Sequence, residues 1–574
     1  MMPKMMIKNQ VWWPRGACLL PMPFVVLVLL LFLAAVTQLV GCSGGGGGGD
    51  PISPLQRDTR LGAVMGMDNS KTSGAYGWLG IPYAKPPVGA LRWMPPVDAV
   101  AWSGVRSAQQ FGASCAQVGS IFGPAQDNVY GLSVRDSFNK PVGSEDCLTL
   151  NIWRPSTTET KLPVIVYIHG GSNISGYTAD PTYNSEALAT KAQAVVVTVN
   201  YRLGILGWLD LAQLKTGELL ADSGNFATLD QIQALKFVHT NIDAFGGDPG
   251  NVTVMGESAG AANTWAMLVS PLTENLMHKA IAMSGGLTTS TPANARKYGN
   301  GVLTALVIAD GKAADPASAQ LYLATQSASQ IATYLRAKSS DDLLNVSLAI
   351  RNANDLKFAY VIADGTVIPT DPFGAIAAGD YRHVPVLEGN TAEEGKLFVP
   401  LKPNSYDSFT MQYNFDPDAA PTLVEGDLLN PQYLPVDMPI RGWNAVTAGV
   451  TATMFLSANS ASMTALAEKQ PTQLWYYRFD WNQQPTPFNT VYGAAHAMDL
   501  PFVFGNFGKN SFSFAYSKAN KPGREALSNA MMASIAAFVK NGNPNNAALG
   551  DRWDNWPATL VFDASAVQAR IFSK

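Results

Sequence analysis

The chain has 574 residues, of which 47% are hydrophobic and 14% charged, and its formal net charge at pH 7 is −4. This composition can bury a large core, and it excludes an intrinsically disordered protein. Neither sign of charge dominates, so the sequence predicts no nucleic-acid partner. The five histidines and four cysteines form no cluster with metal-ligand spacing. We therefore expect neither a metal nor a cofactor.

The N-terminal segment differs in composition from the remainder of the chain. Its only charges are three basic residues, which precede an uninterrupted apolar run over residues 24–36. This order is typical of a secretory signal peptide. The tetrapeptide Leu-Val-Gly-Cys then ends at Cys42, and it resembles the box of bacterial lipoproteins in which the cysteine carries the lipid. We expect a signal peptide over residues 1–42, lipidation of Cys42 and a Gly-rich linker over residues 43–55.

This N-terminus predicts a protein that is exported from the cytoplasm. With a lipid on Cys42, the body would be a periplasmic or outer-membrane lipoprotein, and the membrane would be a partner through the lipid anchor. Two alternatives remain open. Residues 17–40 are nearly long enough to span a bilayer as an uncleaved anchor, or the signal peptide is removed without lipidation and the protein is secreted.

From about residue 56 onwards, short apolar strands alternate with helical stretches and Gly-rich turns. Residues 163–168 and 194–199 are continuous runs rich in β-branched side chains, as expected for strands covered on both faces. Apolar residues three and four apart between residues 229 and 242 indicate an amphipathic helix. This alternation predicts an α/β fold with a large, mostly parallel central sheet flanked by helices.

A short strand predicted over residues 251–255 runs directly into Gly256-Glu257-Ser258-Ala259-Gly260. In a strand–turn–helix context, Gly-x-Ser-x-Gly is the nucleophile elbow, a tight turn that lifts the serine hydroxyl clear of the sheet. The N-terminus of the following helix favours negative charge that develops at the same point. Gly-rich chains contain this pentapeptide by chance, so its position after a strand is what favours Ser258 as a nucleophile.

A nucleophilic serine needs a base and an acid that orients the base. In α/β-hydrolases the chain order is serine, acid, histidine. His496 lies late in the chain on a loop, with an acidic segment between it and the elbow, and we predict it as the base. The acid is expected after the apolar residues 384–387, where Glu393 and Glu394 are adjacent. Spacing alone does not choose between them.

A second Gly-rich turn, His169-Gly170-Gly171-Ser172, follows the strand predicted over residues 163–168. Because small residues do not block approach, such a turn can present backbone N–H groups to an oxyanion. The alternative is an ordinary glycine turn without a catalytic role.

Three longer segments together resemble the type B carboxylesterases, the family that includes cholinesterases and bacterial p-nitrobenzyl esterases. Residues 80–93 resemble the opening segment of that family, and residues 144–151 resemble its second signature. Residues 245–253, together with the elbow, resemble its first signature. The likeness extends from about residue 60 to about residue 560, and it implies the α/β-hydrolase fold.

The resemblance implies roles that spacing leaves open. The family's acid immediately precedes a glycine, which selects Glu394 over Glu393. A disulfide between Cys115 and Cys147 is implied, and an oxidising compartment outside the cytoplasm would permit it. The resemblance also implies the oxyanion donors, which are Gly171, Ser172 and Ala259. It further implies that Glu257 and Ser284 lie beside the triad.

We therefore expect one catalytic domain over residues 56–574, with helical, lid-like insertions near 290–380 and 400–470. The expected activity is hydrolysis of a small or aromatic carboxylic ester through an acyl-enzyme on Ser258. Ser172 stands where many family members have a third glycine, which should alter the acyl pocket. The loop 115–147 contains no tryptophan, the residue with which cholinesterases bind cations there, and this argues against choline esters.

Two other functions remain open. A cell-surface hydrolase of polyesters or plant phenolic esters would differ mainly in a more open cleft. A catalytically inactive binding protein of the same fold is less favoured, because all three triad positions are filled. The sequence does not indicate the natural ester or the oligomeric state.

Overall fold

The structure is a computed structural model that describes residues 53–126, 128–353, 356–402 and 422–574. The expected signal peptide, Cys42 and nearly all of the Gly-rich linker lie outside the described residues. Residues 54–574 form one compact unit. No helix in the described ranges is both long enough and apolar enough to cross a membrane.

Sixteen strands lie in the described part of the chain. In chain order they are β1 Gln56–Thr59, β2 Gly62–Met65, β3 Met67–Asn69, β4 Ala75–Pro82, β5 Val105–Ser107, β6 Gln117–Val118, β7 Pro141–Val142, β8 Thr149–Pro155, β9 Leu162–Ile168, β10 Val195–Val199, β11 Gly247–Glu257, β12 Lys279–Met283, β13 Val386–Thr391, β14 Leu474–Phe479, β15 Thr559–Ala564 and β16 Ala569–Ser573.

The α-helices of the same ranges connect and cover these strands. They are α1 Glu186–Ala192, α2 Gly204–Gly207, α3 Phe226–Asn241, α4 Ala259–Val269, α5 Pro292–Ala309, α6 Pro316–Ala324, α7 Ala328–Ala337, α8 Ser340–Ala353, α9 Pro372–Ala378, α10 Glu425–Leu428, α11 Trp443–Val450, α12 Ser457–Ala467, α13 Phe488–Val491, α14 Leu500–Phe504 and α15 Lys521–Asn541.

Eleven strands form one large sheet in the order β16-β15-β14-β13-β12-β11-β9-β10-β8-β4-β3. The seven strands from β15 to β10 in this order are parallel to one another. Antiparallel strands lie only at the two edges of this sheet. The mostly parallel sheet of the predicted α/β-hydrolase fold is confirmed.

Alternate residues of the central strands face two separate hydrophobic cores. In β9, Val164 and Val166 belong to one core, whereas Ile165 and Tyr167 belong to the other. A strand that is covered on both faces must be apolar at nearly every position. This requirement explains why β9 and β10 agree with the continuous apolar runs in the sequence to within one residue at each end.

Both regions that we expected as insertions are helical. The region near 290–380 contains α5 to α9, and the region near 400–470 contains α10 to α12, with a π-helical turn at Thr451–Leu456 between the last two. Residues 403–421 of the second region lie outside the described ranges.

The disulfide between Cys115 and Cys147 is present, with an S–S distance of 2.08 Å, and this prediction is confirmed. Gln117, two residues further on, is fully buried. Its side-chain Nε2 donates to the Gly176 carbonyl at 2.9 Å, and its Oε1 accepts from the Gly176 N–H at 2.9 Å. The disulfide loop is therefore tied to the Gly-rich segment that follows β9.

Candidate active site

The elbow places Ser258 between β11 and α4 with a backbone φ of 58°. The flanking glycines are required by space. A Cβ atom on Gly256 would lie 2.1 Å from the Gly260 carbonyl oxygen, and one on Gly260 would lie 2.0 Å from the Ile168 carbonyl oxygen. The Ser258 N–H donates to the Met283 carbonyl at 2.8 Å. Strand, tight turn and helix thus hold the serine in a conformation that L-residues rarely adopt.

The predicted oxyanion turn lies against the elbow. A Cβ atom on Gly170 would lie 2.9 Å from the Cβ of Ser258, and one on Gly171 would lie 2.2 Å from the Ser175 carbonyl oxygen. The backbone therefore approaches the serine as closely as glycine allows. Gly171 and Ser172 line the same cavity as Ser258. Ala259 is the first residue of α4, and its N–H is not used in helical hydrogen bonding.

A side-chain pair fixes this turn to the helix that follows Ser258. Asn263 Nδ2 in α4 donates to Asn173 Oδ1 at 2.9 Å, and both residues are buried. His169 at the start of the turn stacks on Tyr201 with ring centroids 4.5 Å apart. Burial lowers the pKa of His169 to about 4, so this imidazole is neutral at pH 7 and packs as an uncharged ring.

Glu394 and His496 form a direct hydrogen bond. Nδ1 of His496 lies 2.5 Å from Glu394 Oε2, and both residues are buried. The other carboxylate oxygen, Oε1, accepts from Ser284 Oγ at 2.7 Å and from the Thr391 N–H at 2.7 Å. The structure therefore brings Glu394, His496 and Ser284 together. The adjacent Glu393 makes an ion pair with Lys396 instead.

Glu257, the residue before the serine, lies on the other side of the imidazole. Its Oε1 is 3.1 Å from His496 Nε2, but the pair does not have the geometry of a hydrogen bond. Burial raises the pKa of Glu257 above its ordinary value, although the adjacent His496 acts in the opposite direction. Burial alone would lower the pKa of His496, but the negative charges of Glu257 and Glu394 outweigh the effect of burial and raise that pKa above its ordinary value.

The structure adds residues that the sequence analysis did not identify. Asp499 is fully buried and accepts from the Tyr477 hydroxyl at 2.6 Å. Burial raises the pKa of Asp499 to about 6. Phe398 and Phe455 contact the His496 ring, with ring centroids 5.0 Å and 4.7 Å away. Asp499 lies only three residues after His496, and this short separation could have placed it near the site. Nothing in the sequence connects Phe455 to the histidine.

Ser258 and His496 both line one cavity of about 210 Å³. Apolar side chains make up much of its wall, including Phe122, Ile174, Leu397, Phe398, Leu500 and Phe512. Across the described ranges, no group of three or more His, Cys, Asp or Glu side chains is arranged to hold a metal ion.

Comparison with known proteins agrees with this geometry. The carboxylesterase family matches residues 53–563. A para-nitrobenzyl esterase of Bacillus subtilis (strain 168) is 33% identical over 517 aligned residues, covering 88% of this chain and 94% of the relative. A fumonisin B1 esterase of Sphingopyxis macrogoltabida is 32% identical over 511 aligned residues, covering 88% and 84%.

Solved structures give the same result. A PNB esterase aligns with a TM-score of 0.70 at 29% identity, covering 91% of this chain and 97% of that chain. The carboxylesterase EST55 of Geobacillus stearothermophilus aligns with a TM-score of 0.68 at 29% identity, covering 91% and 98%.

The sheet, the elbow and the structural neighbours place the chain among the serine hydrolases of the α/β-hydrolase fold. Within that class, the chain belongs to the carboxylesterase family. It is therefore a carboxylic-ester hydrolase.

The environment of His496 predicts an unusual titration. Because carboxylates raise its pKa, the imidazole should lose its proton well above the ordinary value of about 6.5. In Glu257→Gln one of these carboxylates is absent, so the midpoint should move to lower pH. The measurement is NMR titration of protein labelled with ¹⁵N-histidine, with His496→Ala to assign the signal.

The control for this titration is Glu388→Gln. Glu388 is a fully buried carboxyl on β13 that does not line the cavity, so its replacement should leave the His496 midpoint unchanged. Equal midpoints in wild type and Glu257→Gln would contradict the proposed electrostatic coupling.

Proposed function

We propose that Ser258 is the nucleophile of this ester hydrolase, with His496 as the base and Glu394 as the acid that orients it. The observation that carries the proposal is the Glu394–His496 hydrogen bond of 2.5 Å, because His496 also lines the cavity that contains Ser258. Ser284 and the Thr391 N–H hold one carboxylate oxygen, which leaves the other for the imidazole. This arrangement fixes the tautomer in which Nδ1 carries the proton and Nε2 is the base.

The proposed reaction is a double displacement. His496 Nε2 accepts the hydroxyl proton of Ser258 while Oγ forms a bond to the ester carbonyl carbon, and the carbonyl oxygen becomes an oxyanion. When this intermediate collapses, the bond to the alcohol oxygen breaks and the imidazolium gives its proton to the leaving alcohol. Water, deprotonated by His496, then attacks the carbonyl carbon of the acyl-enzyme. When this second intermediate collapses, the bond from the acyl carbon to Ser258 Oγ breaks, the imidazolium returns its proton to Oγ, and the carboxylic acid leaves.

The N–H groups of Gly171, Ser172 and Ala259 are the proposed oxyanion donors. Left-handed backbone at Gly171 and Ser172, with φ of 99° and 55°, turns this segment against the serine. Preorganised donors of this kind cost no reorganisation when the charge develops. The positive end of the α4 dipole adds to the same stabilisation.

A small or aromatic carboxylic ester is the proposed substrate class. A cavity of about 210 Å³ is smaller than the roughly 300–1,000 Å³ of sites for drug-sized ligands. Phe122, Phe398 and Phe512 in its wall suit an aromatic or short aliphatic group. This enclosure favours a small ester over the alternative substrates, a polyester or a plant phenolic ester on a polymer.

We further propose that the enzyme is an exported lipoprotein anchored through Cys42. The support is the order of basic residues, apolar run, Leu-Val-Gly-Cys and Gly-rich linker at the N-terminus, together with a Cys115–Cys147 disulfide of the kind that persists in oxidising compartments.

The first test replaces the nucleophile. Ser258→Ala should lower kcat on p-nitrophenyl acetate by roughly four to six orders of magnitude, because only binding and oxyanion stabilisation remain. A fluorophosphonate probe should label Ser258 in the wild type, as located by peptide mass spectrometry. Retention of more than a few percent of activity, or labelling of a different residue, would show that Ser258 is not the nucleophile.

The second test concerns the size of the substrate. Activity on p-nitrophenyl palmitate should be lower than on the butyrate by roughly tenfold or more, because a long chain exceeds the cavity. Phe122→Ala enlarges the cavity without changing a triad residue, so it should reduce the preference for the butyrate over the palmitate. Hydrolysis of a polyester film at a rate comparable to that of the butyrate would favour the alternative substrate class.

The third test concerns the anchor. In a Gram-negative host, the wild type should incorporate an alkyne-labelled fatty acid and partition into detergent, because the acyl chains bury methylene groups in the membrane. Cys42→Ser should lose the label. If the wild type were released in soluble, unlabelled form, the protein would be secreted without a lipid.

A further inference from the structure

The loop that carries His496 meets the turn that carries Glu394 at a second place. The Glu393 N–H donates to the Ala494 carbonyl at 2.9 Å. The Ala494 N–H donates in return to the Glu393 side-chain Oε2 at 3.0 Å. Glu393 thus uses both its backbone and its side chain to hold the backbone two residues before His496.

Lys396 extends this contact. Its Nζ lies 2.6 Å from Glu393 Oε1 and donates to the Thr490 carbonyl at 2.9 Å. The Lys396 side chain is only 4% exposed, whereas that of Glu393 is 34% exposed. A buried ammonium requires such partners, because an unpaired charge in the interior is costly. Lys396 therefore links the acid turn to the end of α13, at the start of the histidine loop.

Gly493 makes the close approach possible. Its φ is 51°, and a Cβ atom at this position would lie 2.0 Å from Glu393 Oε2. Gln484 Nε2 holds the Gly493 carbonyl at 2.7 Å. The backbone of the histidine loop is thus shaped to receive the Glu393 carboxylate.

We infer that Glu393 and Lys396 are positioning residues that set the distance and orientation of His496 relative to Glu394. The inference rests on the proposed function, in which the Glu394–His496 hydrogen bond orients the base. We name the set of contacts among Glu393, Lys396, Thr490 and Ala494 the loop clamp. Neither charged residue of the clamp lines the cavity, so the clamp acts on the reaction through His496.

The clamp predicts a particular kinetic defect. In Lys396→Met the buried charge is removed, and Glu393 can turn to solvent, so folding should be retained. Without the clamp the imidazole is held less precisely, and kcat on p-nitrophenyl acetate should fall by roughly 10- to 100-fold, with KM within about twofold. Because Glu394 then stabilises the imidazolium less well, the acid limb of kcat/KM should move to lower pH.

Two further variants separate the clamp from general effects of charge. Glu393→Gln leaves Lys396 buried without its carboxylate. The double variant, with Glu393→Gln and Lys396→Met, leaves no unpaired charge. If the clamp positions His496, the double variant stays as slow as the single ones; if an unpaired charge alone were responsible, it would recover wild-type kcat. Lys521→Met, which removes an exposed ion pair with Glu525 on α15, should leave kcat unchanged.

A second readout needs no substrate. The Nδ1 proton of His496 in a hydrogen bond of 2.5 Å should resonate far downfield in the ¹H NMR spectrum, and the signal should broaden or move upfield in Lys396→Met. The inference would be overturned if Lys396→Met had the wild-type kcat, the wild-type acid limb of kcat/KM and the wild-type downfield signal. This holds whatever the change in the midpoint of thermal unfolding. If the wild type itself failed to hydrolyse esters, the proposed function would fail, and the NMR signal would still test the clamp.

Discussion

The site depends on two backbone contacts that leave no room for a side chain at positions 256 and 260, two residues before and two residues after Ser258. The Gly256 and Gly260 positions face carbonyl oxygens at distances where no Cβ atom fits. One of these oxygens belongs to Ile168, the last residue of β9 and the residue before the oxyanion turn. The same packing that strains Ser258 therefore also brings the oxyanion turn to it. The positions of Ser258 and of the proposed oxyanion donors are thus linked by one contact between Gly260 in α4 and the end of β9.

Around this rigid centre lies an unusual concentration of acid. Glu257, Glu394 and Asp499 are all buried, and His496 is the cation that their charges favour. Burial raises the pKa of Glu257 and of Asp499, so these carboxyls hold protons more readily than carboxyls in water. Glu394 alone receives hydrogen bonds from Ser284, Thr391 and His496. Unequal hydrogen bonding thus distinguishes Glu394, the proposed acid, from the two neighbouring carboxyls.

The sequence was sufficient for features that depend on local physics. Continuous apolar runs predicted β9 and β10, and the Gly-x-Ser-x-Gly pattern after a strand predicted the elbow. The choice between Glu393 and Glu394 could not be made from spacing. The side chains of adjacent residues point in different directions, and the backbone conformation of the turn determines which of them faces His496. Family resemblance selected Glu394, and the structure places that residue on His496. Phe455 could not be predicted, because its contact with His496 joins segments that are distant in the chain.

The disulfide has a consequence beyond stability. Cys115 lies two residues before Gln117, whose side chain makes a paired hydrogen bond with the backbone of Gly176, and a Cβ atom at Gly176 would collide with the His169 ring. The same loop supplies Phe122 to the cavity wall. The disulfide therefore restrains both Phe122 in the cavity wall and the Gly-rich turn that follows β9. When the protein is produced in a reducing cytosol, the yield of soluble protein does not show whether the disulfide has formed. The turnover number per enzyme molecule is the quantity to compare.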